Sequence, residues 1–109
     1  MFVIEVRKGE LIETVTKEAQ RLGIVDGAIV SLIGGVDRFT VSTMPAGNAT
    51  KDVLTDYDLP AEMSGTGEIT SGTVHIHAVM AVEGDRAVSG HLHRADVGTW
   101  FANVYVMSR

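Results

Sequence analysis

TVHIHAVMAVEGDRAVSGHLHR, residues 73–94, holds all four histidines of the chain. From Val74 the even positions run Val74, Ile76, Ala78, Met80 and Val82, with His75 and His77 between them. That is the period of a strand with two unlike faces, and both imidazoles point the same way. Glu83-Gly84-Asp85 supplies turn chemistry, and Arg86 to His93 reads as the returning strand, with Ser89, His91 and His93 on a shared face. Register decides whether the two histidine faces meet. If Val82 and Arg86 close a three-residue loop, His77 lies opposite His91 and His75 opposite His93, with Cβ atoms about 4.5–5.5 Å apart. A two-residue loop at Gly84-Asp85 would turn His91 to the other face, unless a bulge near Ser89-Gly90 restored the parity.

Neutral imidazole is the commonest protein ligand for zinc, and three histidines with one position left open make a catalytic rather than a structural arrangement. A single strand histidine is ordinarily just a polar side chain on a wet face. Four within residues 75–93, two of them in an H-x-H step, favour a metal site. The chain has no cysteine, so thiolate ligands and disulfides are excluded.

These residues also carry a family resemblance. His75-Ile76-His77-Ala78, the Glu83-Gly84-Asp85 turn and Gly90-His91-Leu92 resemble the HxHa…dG…gGHl pattern of the PPC ("plants and prokaryotes conserved") domain. The resemblance implies a homotrimer and a divalent metal, zinc first, held by His75, His77 and His91. His93 is outside the pattern and is expected beside the site or facing solvent. Glu62 matches an acidic position of the family and is the candidate acid or base. The family's acidic residue in the last strand is replaced here by Ala102-Asn103. The three-histidine arrangement is also similar to that of acetolactate decarboxylases, which implies a second possibility: a zinc enzyme acting on a small carbonyl or carboxylate compound bound at the metal.

A chain of 109 residues with 45% hydrophobic content suffices for one domain and one core, taken as residues 1–109. Phe2 to Arg7 alternates as an opening strand. Glu10 to Leu22 puts Leu11, Val15, Ala19 and Leu22 on one helical stripe with Ile12 beside it, and Gly23 follows as the stop. GAIVSLIG, residues 27–34, is almost continuously apolar and reads as a strand buried on both faces. Gly34-Gly35 then reads as a turn, since no phosphate-loop pattern surrounds it. Val36 to Met44 alternates as a half-exposed strand. Asp52 to Leu59 reads as an edge strand stopped by Pro60, and Ala61 to Thr70 as a strand whose Gly65 and Gly67 mark a bulge or a close backbone approach. Thr99 to Met107 closes the chain with Trp100, Phe101 and Tyr105, more aromatic area than so small a monomer readily buries. The expected fold is α+β: a mostly antiparallel, curved sheet with one packed helix.

The N-terminus lacks the apolar run of a signal peptide and no stretch approaches a membrane span, so the expected setting is cytoplasmic. In plants the PPC domain accompanies AT-hook segments, but this chain has no basic run, and its nine basic residues are scattered within a net charge of −5. Direct DNA binding by this domain alone is therefore not expected, and a role within a larger assembly is.

Overall fold

Alternation of apolar and polar residues recurs along nearly the whole chain, and the computed structural model, which describes residues 1–109, turns it into nine strands and one helix. In chain order these are β1 (Phe2–Val6), β2 (Gly9–Glu10), α1 (Leu11–Arg21), β3 (Gly27–Val36), β4 (Arg38–Thr43), β5 (Val53–Tyr57), β6 (Ala61–Thr70), β7 (Thr73–Val82), β8 (Arg86–Val97) and β9 (Ala102–Ser108). They form one sheet in the order β1-β9-β3-β6-β7-β8-β4-β5, with β2 paired to β8. Every pairing is antiparallel. The expected α+β class and the single helix stand. No helix is long and apolar enough to cross a membrane.

α1 is fixed at both ends by side-chain and backbone chemistry that its sequence announces. Glu10 is the N-cap, and its carboxylate accepts from the N–H groups of Ile12 and Glu13 at 3.0 and 2.9 Å. The same carboxylate accepts from the N–H of Ala95 at 2.9 Å, so one side chain ties the helix start to β8. At the other end Gly23 sits at φ +73°, with its N–H on the carbonyl of Gln20 and the N–H of Ile24 on that of Ala19. This is a Schellman stop, and glycine meets its left-handed requirement without a Cβ clash. Leu11, Val15 and Ala19 are buried under the sheet, with Ile12 and Leu22 at the margin.

The core lies between α1 and one face of the sheet. Ile76, Ala78, Met80 and Val82 of β7 join Val104 and Val106 of β9 and Leu32 of β3 in it. The opposite face has no second layer, and this corrects one expectation. β3 is central, paired with both β6 and β9, yet it is buried on one face only. A bulge after Ile29 interrupts both of its pairings, and Val30 and Ile33 stand in solvent, Ile33 at 58% exposure. A continuous apolar run says that both faces tolerate burial; one helix cannot cover both. Gly34-Gly35 likewise continues β3 rather than turning it: Gly34 pairs with Met63 and Ala102, Gly35 with Glu62, and a Cβ at Gly34 would strike the Phe101 carbonyl.

Candidate metal centre

The β7–β8 hairpin has the three-residue loop. Val82 pairs with Arg86 across Glu83-Gly84-Asp85, where Gly84 and Asp85 adopt φ of +84° and +59°. Counting back, Ala78 meets Gly90 and His77 meets His91, as that loop length requires. Pairing between the two strands stops there, so His75 and His93 are not register partners. The reason lies on the far side of β8, where Val41 pairs with Leu92 and Thr40 with Arg94, leaving His93 as an extra residue in a bulge.

The four imidazoles nonetheless gather on the open face. Ring centroids lie 4.9 Å apart for His75 and His77, 4.6 Å for His75 and His91, and 6.1 Å for His77 and His91. A tetrahedral ion bound at about 2.0–2.1 Å by three imidazole nitrogens sets ring centroids roughly 5 Å apart. The three spacings bracket that value. As the rings stand, no three donors are aimed at one point closely enough to hold an ion. His75 and His77 are exposed, and exposed side chains change rotamer in picoseconds to nanoseconds, so the spacing of the rings is fixed by the strands while their aim is not.

His93 stacks on His91, with centroids 4.4 Å apart and planes at 13°, and its Nε2 shares a 2.7 Å hydrogen bond with Ser42 Oγ. Ser42 is 3% exposed and pairs with His91 in the β4–β8 register. His93 therefore lies beside the three-histidine group with one ring nitrogen already engaged. Burial is the first cause that holds His91 below the ordinary histidine value, followed by the neighbouring charges of His93, His75 and His77; Asp52 opposes them.

β6 contributes by coming close. Its glycines face the histidine strand, and a Cβ added at Gly65 or Gly67 would collide with the carbonyl oxygen of His77 or His75. The close approach expected at these glycines is thus against the backbone of His75 and His77. Glu62 is placed elsewhere. It pairs with Ala81, four residues along β6 from the Thr66–His77 pair, or about 13 Å at strand rise, and lines a separate groove with Trp100 and Phe101. The carboxylates that the fold does bring to the imidazoles are Glu68, opposite His75, and Asp52, in the cleft beside His91. Glu68 was legible, since the Ser71-Gly72 turn fixes Thr70 opposite Thr73 and counting back reaches the pair. Ser42 and Asp52 had no such signal, because nothing local joins β4 or the loop before β5 to β8.

The sequence model of the Plants and Prokaryotes Conserved domain, abbreviated PCC or PPC, matches residues 1–109. The chain belongs to this family. Among solved structures, a "Putative DNA-binding protein" from Ralstonia eutropha superimposes on this PPC domain with TM-score 0.83 at 20% identity, covering 98% of this chain and 76% of the other. A metal-containing protein from Archaeoglobus fulgidus gives 0.77 at 20% identity, covering 99% and 80%. A Staphylococcus aureus protein of unknown function, described as similar to α-acetolactate decarboxylase, gives 0.59 at 15% identity, covering 97% of this chain and 52% of that one. At these identities the likeness is one of fold. No curated protein matches the sequence.

Proposed function

We propose that this PPC domain is a divalent-metal module in which His75, His77 and His91 hold zinc, and that it acts as a homotrimer with a regulatory or DNA-associated role exercised through assembly. One observation carries the metal reading. The imidazoles of His75, His77 and His91 gather on one open sheet face, with His77 opposite His91 and ring centroids 4.6, 4.9 and 6.1 Å apart. The metal-containing relative of the same fold supports it. When bound, the ion supplies a Lewis acid with one position open to water or a small ligand. Metal analysis of the purified protein by mass spectrometry tests the reading: one zinc per chain, lowered tenfold or more by Gln at His75, His77 or His91. A chain that contains no metal and takes up no added zinc, nickel or iron refutes it.

Assembly is supported by the uncovered sheet face. Trp100 is 65% exposed, and with Phe101 and Ile33 it lines the groove that also holds Glu62. Light scattering should give three times the chain mass at micromolar concentration, and a monomer mass overturns this part. With a net charge of −5, fluorescence anisotropy should show duplex DNA bound no tighter than the non-specific range of about 10⁻⁴–10⁻⁶ M at physiological salt. Nanomolar affinity with a steep salt slope would overturn that expectation.

The second reading, a zinc enzyme on a small carbonyl compound, is favoured by the cleft that opens directly on His77 and His91 and by the decarboxylase-like neighbour. In that reading Glu68 and Asp52, rather than Glu62, stand within reach as proton carriers.

A further inference from the structure

The open face is ordered in rows. Thr66, His77, His91 and Ser42 are successive register partners across β6, β7, β8 and β4. Two residues along, Ser64, Val79 and Ser89 form the next row across β6, β7 and β8. Both rows line one cleft of about 800 Å³. The second row puts a hydroxyl on each side of an apolar valine that is 45% exposed. Apart from the histidines, Asp52 is the one charged residue lining the cleft, and no lysine or arginine reaches it.

These observations select a ligand. A group that donates an oxygen at the histidine row meets, about 6.6 Å further along, serine hydroxyls that can pair a second oxygen. An extended carbon chain advances about 1.2 Å per bond, so roughly five bonds separate the two oxygens. The carbon chain between them lies over Val79. A carboxylate or phosphate at the far end would find no lysine or arginine lining the cleft, so the far group is a neutral hydroxyl. We propose that Ser64, Val79 and Ser89 form a subsite for a small neutral hydroxy-carbonyl compound, its carbonyl at the histidines and its hydroxyl three carbons beyond. This rests on the metal reading above and narrows it from carbonyl or carboxylate compounds to uncharged hydroxyketones.

The probe is 5-hydroxy-2-pentanone, whose carbonyl and hydroxyl have this reach, titrated by calorimetry into the zinc-loaded protein. Levulinate replaces the hydroxyl end by a carboxylate, and 2-pentanone lacks it. The hydroxyketone should bind at least fivefold tighter than either. The double variant Ser64→Ala/Ser89→Ala should lose about fivefold or more in affinity for the hydroxyketone, while its zinc content and its affinity for 2-pentanone stay unchanged. Levulinate binding as tightly as the hydroxyketone, or a double variant that binds as wild type does, overturns the subsite with the metal site intact. Hydroxyketone binding that depends on the serines in a protein taking up no zinc keeps the subsite and refutes the metal. Neither zinc nor hydroxyketone binding refutes both.

Discussion

Gly67→Ala probes how tightly β6 is laid against the histidine strand. The added methyl would enter hard contact with the His75 carbonyl oxygen and come within 3.0 Å of Ile76 Cα. Both obstacles are backbone, held by the Glu68–His75 and Gly67–Ile76 register, so no rotamer change relieves them. Overpacking of this kind costs about 1–3 kcal/mol, and an immovable obstacle argues for the upper end. Removing a glycine from the unfolded chain returns about 0.4–1 kcal/mol. The net expectation is a loss of about 2 kcal/mol, or roughly 8–16 °C in Tm for a domain of this size. Urea and thermal unfolding followed by circular dichroism, on metal-free protein at one fixed concentration, measure it. Gly47→Ala is the control, since nothing lies within 4 Å of a Cβ there and its φ is ordinary; it should stay within about 0.5 kcal/mol of wild type. A Gly67→Ala protein as stable as that control would show that β6 and β7 are not in the close contact on which the placement of His75 depends.

Replacing Glu10 by Ala removes the acceptor shared by the N–H groups of Ile12, Glu13 and Ala95. A cost of about 1–3 kcal/mol is expected in the same unfolding assay, and a change under about 0.5 kcal/mol would refute the shared cap. His91 is held below its ordinary value near 6.5, chiefly by burial. The unfolded state then binds the proton first, so its contribution to the stability of metal-free protein is complete above pH 6.5 and is lost as pH falls through the lower folded value. His91→Asn should flatten that acid slope, and an unchanged slope counts against the burial. His93→Gln should keep its zinc within about twofold, because Ser42 already engages the ring nitrogen; a loss equal to that of His91→Gln would make the site a closed four-histidine one.

The elements and their faces follow from local pattern. Strand periodicity separated Ile76 and Ala78 from His75 and His77, the helical stripe named Leu11, Val15 and Ala19, and Gly23 marked the stop. The acidic-glycine turn allowed the His77–His91 register as one of two loop lengths. Each of these signals is local, since period, cap and turn depend on residues a few positions apart, and the structure agrees with them.

What lies beside those faces depends on how strands distant in the chain pair. The bulge at His93 depends on β4, about fifty residues earlier, and so does the Ser42 hydroxyl that fixes the ring. Glu62 shares a strand with Thr66, the partner of His77, but register carries it to the Trp100 groove, while Glu68 meets His75 instead. The apolar run in β3 said that both faces could be buried. With only α1 to form a second layer, one face remains open, and that face carries the histidines, the hydroxyl row and the uncovered Ile33. Local pattern sets which way a side chain points; the order of strands in the sheet sets what it meets there.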